Sequence, residues 1–357
     1  MNRKRLGFAG FTARALMLVA AGLLVLSYVS VLFNPAKVWF MAFFGLLFVP
    51  LAFLNIFLLL WALARRSGAV LIPLVGLLPS LLFIGSYFQW PSSSSTDTGE
   101  ESIKLVSYNV GRFCSSRQGQ KNGLECRDSI FSALAEEDAD IICMQEFYTA
   151  DIQECKRAIA KAFRGYNMEY YLFRSARGWF GNVTLSRFPI RGRDEIRFEK
   201  SANLALWTDC MIGNRSYRVY NCHLESYNIS LPGIMNAVAT DDREMLKEAG
   251  LKMRGSIVRR PQQIGKILQS IEDGPKDAFV CGDFNDNPVS YTYFRLSSGR
   301  HDSFRQSGSG FGASYSALWP LLRIDYVLCP SDVWAIGHRT PKLRYSDHYP
   351  VVAQFKL

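Results

Sequence analysis

The first 96 residues contain neither Asp nor Glu. A stretch of that length without an acid is not an ordinary soluble surface, which mixes both signs. Histidine is scarce too, with four in 357 residues. No CxxC and no Cys/His spacing suited to zinc occurs among the eight cysteines, which excludes a thiolate zinc module. No internal repeat is present, which excludes a solenoid. Long basic strings are missing as well. Seven of the 41 Lys and Arg fall in the acid-free segment, leaving 34 against 31 acids, a net +3 for the remainder. The overall +10 therefore flanks an apolar region and is not the footprint of a strongly basic nucleic-acid binder.

Three charge-free apolar stretches fill the acid-free segment, at about residues 15–33, 38–63 and 69–90. As helices, each is long enough for about 30 Å of hydrocarbon, so three transmembrane helices are predicted. Pro50, Pro73 and Pro79 are tolerable in such helices. Trp39, Trp61, Tyr87 and Trp90 fall near the predicted interfaces, where amphipathic rings prefer to sit. No clear small-residue cleavage site follows the first stretch, which argues against a signal peptide. Arg3, Lys4, Arg5 and Arg14 flank the N-terminus and Arg65 and Arg66 the second loop, against Lys37 alone in the first loop. Positive-inside reasoning puts the N-terminus in the cytoplasm. Three crossings then place everything after Trp90 on the periplasmic or extracellular side of an inner membrane.

Residues 91–101, Ser-rich and acidic, read as a flexible linker. Residues 102–357 alternate short strands and helices. The runs "IKLVSYNV", "DIICMQE", "GNVTLSRFPI", "DAFVCGDFND", "RIDYVLCP" and "HYPVVAQFKL" read as strands. The stretch "NLALWTDCMIGNRSYRVYNCHLES", Asn203 to Ser226, reads as a hairpin turning at Gly213-Asn214. Helices are expected over "ECRDSIFSALAEEDAD", "DIQECKRAIAKAF" and "IVRRPQQIGKILQSI", whose Arg259 and Arg260 read with Arg254 as a solvated helix face. Asn228 to Ala239 carries no clear pattern, and "SGSGFGAS" reads as a mobile loop. Cys143, Cys222, Cys281 and Cys329 lie in strand-like runs and read as small buried hydrophobes. Cys114 and Cys126 flank a polar loop and could pair in an oxidising compartment.

Strand ends carry the chemistry. Asn109, Glu146, His223, Asp283 and Asn285 each occur where a strand-like run finishes. Asp347 and His348 occur where one starts, and Asp325 lies within one. Strands in one sheet can bring such termini to a common rim. Four acids, two amides and two imidazoles form an oxygen-rich set suited to a hard cation such as Mg²⁺. A general base works best with a pKa near the operating pH, which favours His. It needs a carboxylate to fix its tautomer. Asp325 and Asp347 are both candidates for that role, and spacing does not choose between them. His301 and His338 lie in unpatterned polar context and read as surface residues.

"SYNV", "QE", "NCHLES", "GDFND", "RIDYVL" and "SDHYPV" occur in an order that resembles the metal-dependent endonuclease/exonuclease/phosphatase superfamily, over about Ser102 to Leu357. The resemblance implies a four-layer α/β sandwich of two packed mixed sheets flanked by helices. It implies Glu146 as the principal Mg²⁺ ligand, with Asn109 beside it and Asp347 as an additional metal-site acid; Mn²⁺ could substitute. It implies His348 as the catalytic His, paired with Asp325. Asp283 and Asn285 match the pair that orients the attacking water and contacts the phosphate. His223 matches a His that hydrogen-bonds the scissile phosphate in the deoxyribonuclease and sphingomyelinase branches; the abasic-site branch carries Tyr there.

The leading expectation is a membrane-anchored, divalent-metal-dependent phosphoesterase that cleaves phosphodiesters in the manner of a nuclease. The alternative within that class is a phospholipid, sphingomyelin or inositol-phosphate hydrolase, for which a bilayer anchor is directly useful. A non-catalytic binding protein is disfavoured because every motif position is filled. A transporter is disfavoured because the apolar stretches hold no ionisable residue to mark a pathway.

Overall fold

The computed structural model describes residues 8–91, 102–113, 123–175, 178–227, 229, 231–275 and 277–357. The linker expected over 91–101 lies outside them except for Pro91, as does Cys114 of the suggested Cys114–Cys126 pair. Cys126 itself is buried, and its Sγ donates to the Tyr345 carbonyl at 3.3 Å.

Among the described residues, the acid-free segment forms the α-helices α1 (Phe8–Val29), α2 (Met41–Leu46), α3 (Phe48–Ala64), α4 (Leu71–Leu77) and α5 (Leu81–Ile84). The expected three continuous spans are not what forms. Among the described residues, one helix is long and apolar enough to cross a membrane, over Gly10–Leu32. The second stretch breaks at Leu47, and the third breaks into two short helices around a 3₁₀ turn at Leu78–Ser80. Proline gives the reason. Pro50, Pro73 and Pro79 each sit in the first turn of a new segment, where a missing N–H costs nothing. The inference of a periplasmic domain counted three crossings, so it falls with them.

Among the described residues, fourteen strands follow from this point, β1 (Phe88–Gln89), β2 (Ser102–Asn109), β3 (Ile141–Thr149), β4 (Asn167–Ser175), β5 (Gly178–Ser186), β6 (Ile190–Arg197), β7 (Leu204–Ile212), β8 (Arg215–His223), β9 (Ala278–Asp283), β10 (Arg300–Asp302), β11 (Gly310–Phe311), β12 (Asp325–Pro330), β13 (Trp334–Arg339) and β14 (Val351–Lys356). One sheet runs β13-β14-β2-β3-β5-β4 and the other β10-β12-β9-β8-β7-β6. Each is mixed, with one parallel pair at its centre, β2–β3 and β8–β9.

Alternation along the strands builds three apolar layers. Ile103 and Leu105 of β2, Cys281 of β9 and Val327 of β12 pack between the sheets. Val106 and Tyr108 face outward onto α6 (Gly123–Glu136) and α7 (Ile152–Ala162). Val280 and Leu328 face the opposite way, onto α9 and α10. Those helices follow α8 (Leu231–Ala239) and span Arg243–Glu272 and Tyr291–Ser297; α11 covers Ser303–Ser307. The result is the expected four-layer sandwich. The unpatterned Asn228–Ala239 stretch proves helical in its second part, and "SGSGFGAS" is held by β11, which pairs with β1.

The helical unit and the sandwich are joined by more than the chain. Val289 lies buried among Leu24, Tyr28, Val31 and Phe48. Asn287 Nδ2 donates to the Gly45 carbonyl at 3.0 Å, and Arg323 Nη1 to the Ser86 carbonyl at 3.2 Å.

Candidate active site

The two parallel pairs point their C-terminal ends at the same rim. Asn109 ends β2, His223 ends β8 and Asp283 ends β9, with His223 and Asp283 in direct register. Asp325 opens β12 directly opposite Asp283 in the antiparallel pair. Gly282 makes the approach of β9 to β8 feasible, since a Cβ there would meet the Cys222 carbonyl oxygen at 1.9 Å.

Glu146 lies inside β3 at a shift of register between Met144 and Phe147. Its φ of 51° is left-handed. A bulge of this kind re-aims a side chain off the regular pleat, and here it turns Glu146 toward the rim. Asn285 also has a left-handed φ, 52°, just after the strand end. Backbone strain of this sort is held in place by surrounding contacts. Asn285 N donates to Asp283 Oδ1 at 2.8 Å, and its Nδ2 to Asp283 Oδ2 at 3.0 Å and to the Leu224 carbonyl at 2.9 Å.

The side chains form two lobes. In one, Asp283, Asp325 and His348 are buried and offer ligand atoms within 4.8 Å of one another. Asp325 Oδ2 lies 2.9 Å from His348 Nδ1, and His348 Nε2 lies 3.7 Å from Asp283 Oδ2. The structure thereby chooses Asp325 as the imidazole's partner. In the other lobe, His223 Nε2 lies 3.6 Å from Glu146 Oε1, and Arg112 Nε lies 3.5 Å from Glu146 Oε2. Asn109 bridges the lobes: its amide donates to Asp283 Oδ2 at 2.9 Å and to Glu146 Oε1 at 3.4 Å. Asp347 is exposed, beside the Gly111 loop, while its neighbour Ser346 ties the turn to the Asn109 carbonyl at 2.8 Å. It stands outside the buried Asp283, Asp325 and His348 group.

Burial sets the proton affinities. It pushes the Asp283 carboxyl up to about 7, although the nearby His348 opposes it. It pushes the His223 imidazole down, with Glu146 opposing. For His348 burial also pushes down, but the Asp325 and Asp283 charges overcome it and the net shift is upward. Two buried polar atoms in the site, Asp325 Oδ1 and His223 Nε2, have no hydrogen-bond partner among the described residues. An unsatisfied carboxylate oxygen and an unsatisfied imidazole nitrogen beside several acids are what a hard divalent cation and a phosphate would complete.

Three residues escaped the sequence reading. Arg260 is buried rather than solvated: its Nη1 donates to the Asn285 carbonyl and lies 3.6 Å from Asp286 Oδ2, and its guanidinium carbon lies 4.3 Å from the Tyr227 ring centroid. Arg259 pairs with buried Glu225 at 2.8 Å. His338 is half-buried, with Nδ1 2.9 Å from Ser303 Oγ.

A model of the Endonuclease/Exonuclease/phosphatase family matches residues 106–348, and the chain belongs to that family. A second model, described as a domain of unknown function (DUF8431), matches residues 11–87. The comparison with curated proteins gives no match. Solved structures give the same architecture. An endonuclease/exonuclease/phosphatase from Beutenbergia cavernae is 17% identical, with TM-score 0.53 over 72% of each chain. One from Bacteroides vulgatus is 15% identical, with TM-score 0.53 over 72% of this chain and 100% of that one. The human Nocturnin catalytic domain with bound sulfate anion is 17% identical, with TM-score 0.52 over 71% of this chain and 94% of that one.

Proposed function

We propose that the chain is a divalent-metal-dependent phosphodiesterase whose catalytic domain is held at a membrane by its apolar helical unit. The observation that carries the catalytic reading is the Asp325–His348 pair at 2.9 Å, with His348 Nε2 facing the Asp283 carboxylate.

The residues divide the work. Asp325 accepts from His348 Nδ1–H and so leaves Nε2 free to take a proton. The Asp325 and Asp283 charges stabilise the imidazolium that results. Asp283 and Asn285, locked together, orient the water whose oxygen forms the new bond to phosphorus as the ester oxygen leaves. His223 Nε2, unpartnered and buried, is aimed where negative charge grows on the phosphoryl oxygens. Glu146, Asn109 and the neighbouring acids would hold Mg²⁺ or Mn²⁺. When bound, such an ion supplies Lewis-acid neutralisation of the phosphate charge.

The membrane reading rests on the outward face of the helical unit. Leu16, Leu18, Val19, Phe53, Phe57 and Leu60 face outward, while Ser27, Asn55 and Ala62 are buried. Asn55 Nδ2 donates to the Ala20 carbonyl at 3.0 Å between helices. Met17, Leu24, Phe48 and Leu58 are buried as well, so the unit is apolar on both its inner and outer faces, and large apolar side chains facing outward around a buried, hydrogen-bonded amide suit helices packed in lipid.

The deciding experiment is hydrolysis of bis(4-nitrophenyl) phosphate by the detergent-solubilised full chain, with Mg²⁺ or Mn²⁺ added or chelated. Metal-dependent turnover lost in His348→Ala supports the reading. Equal turnover in that variant defeats it.

A further inference from the structure

The loops that rim the active site are the same loops that rest on the helical unit. Asp283 and Asn285 are followed at once by Asn287 and Val289, which are buried against α2 and α3. Tyr315 forms a β-bridge with His348, and their rings lie 5.2 Å apart. Ser316 N donates to the Asp347 carbonyl at 2.8 Å, and Gly312 N to the Tyr87 carbonyl at 3.0 Å. The catalytic end of the sandwich therefore faces the apolar helices.

Between them an exposed apolar strip is continuous. Trp90 and Phe88, at the exit of the helical unit, stack edge-on at 5.2 Å. Phe88 meets Phe311 at 5.2 Å, and Phe311 meets Trp319 at 6.3 Å. Trp319 is 44% exposed, flanked by Leu318 at 37% and Leu321 at 44%. Lys342 Nζ lies 3.6 Å from the Trp319 ring centroid. Aromatic rings beside a Lys, running on from lipid-facing helices, match the chemistry of a headgroup interface.

We infer that the loop carrying Leu318, Trp319 and Leu321 is a lip that contacts the bilayer beside the catalytic mouth, and that the substrate is the phosphodiester of a bilayer lipid headgroup. This rests on the phosphodiesterase and membrane readings above. A phosphate reached from the bilayer plane needs no basic groove along the domain, consistent with the remainder's net charge of only +3. A nucleic acid would use such a groove.

The test uses the full chain in bilayers. Hydrolysis is measured on mixed phosphatidylcholine and phosphatidylglycerol vesicles, on single-stranded DNA, and on bis(4-nitrophenyl) phosphate. The rate on vesicles relative to the soluble ester is expected to fall by about tenfold or more in Leu318→Ser/Trp319→Ala/Leu321→Ser. An unchanged ratio overturns the inference, as does cleavage of DNA and the soluble ester with intact lipid. No cleavage of any probe defeats the phosphodiesterase reading itself and takes the substrate assignment with it. An activity-independent arm compares tryptophan quenching by brominated acyl chains. Stronger quenching of the native chain than of Trp319→Phe is expected, and equal quenching refutes the lip.

Discussion

Asn287 in the loop after β9 and Gly45 in α2 are joined by a hydrogen bond of 3.0 Å, and the Asn287 side chain is buried. The catalytic strand end is thus braced by a helix of the apolar unit. The same Asn287 accepts from Val289 N at 2.9 Å, so one side chain shapes the loop and ties it down. A Cβ on Gly45 would meet the Val289 carbonyl oxygen at 2.2 Å, closer than atoms can stand.

Gly45→Val is therefore expected to displace the loop that follows Asp283 and Asn285. A misplacement of about 1 Å in a catalytic constellation costs about 10²-fold in rate. Hydrolysis of a soluble diester by the full chain in detergent reads this directly. Asn287→Ala should lower stability by about 1–3 kcal/mol, through lost hydrogen bonds and an unsatisfied Val289 N–H. Native activity in Gly45→Val would mean that the brace does not reach the site.

The Asp325–His348 pair gives a sharper expectation. Asp325→Asn keeps the shape but removes the charge that fixes the tautomer and supports the imidazolium. Positioned acid–base groups contribute about 10²–10⁴-fold, and His348→Ala and Asp325→Asn should each lose an amount in that range. Because they act as a unit, the double variant should lose little more than the worse single one. Circular dichroism must show both variants folded. Additive losses would separate the two residues into independent roles.

Much of this was legible in the sequence because strands β2, β3, β8, β9, β12 and β14 are central and strongly patterned. Their ends carry Asn109, His223, Asp283 and Asp325, so naming the strands nearly names the site; Glu146, expected at a strand end, sits instead on a bulge inside β3. The edge strand β4 carries no clear signal because its residues are mostly half-buried, and β13 because its alternation is broken by a register shift between Ala335 and Gly337. The three continuous spans failed because composition measures apolarity but not where a Pro starts a new helix. Asp347, expected as an additional metal-site acid, is exposed beside the Gly111 loop and stands apart from the buried Asp283, Asp325 and His348 group. Arg260 was under-read because burial of a cation depends on partners such as Asp286 and the Asn285 carbonyl, which only the fold supplies.

Glu146→Gln tests the metal lobe. The substitution removes a negative charge while keeping an oxygen and the bulged backbone. Loss of a carboxylate ligand for a hard cation is expected to raise the Mg²⁺ concentration needed for half-maximal rate by about 10-fold or more. A Mg²⁺ titration of activity measures it, and direct metal binding by calorimetry provides a readout that does not depend on turnover. An unchanged midpoint in both would exclude Glu146 as a ligand.

The last expectation concerns stability rather than catalysis. Asp302 and Arg323 form a buried pair, with Oδ1 and Nη2 2.6 Å apart, and Tyr293 donates to Asp302 Oδ2 at 2.6 Å. Burial alone would raise the Asp302 carboxyl, but Arg323 prevails and holds it below the ordinary carboxylate range. A depressed folded pKa gives stability that is fully present above the unfolded value of about 4. That stability is lost as pH falls through the lower, folded value. Asp302→Asn strands a buried guanidinium and should cost about 3–5 kcal/mol near neutrality. It should also flatten the acid limb of a melting-temperature profile below about pH 4, because the titrating group is gone. Arg323 also holds the Ser86 carbonyl at 3.2 Å, so the same variant should loosen the helical unit. Faster proteolysis between the unit and the sandwich would register that loosening; native resistance at the lower melting temperature would confine the pair's role to the sandwich.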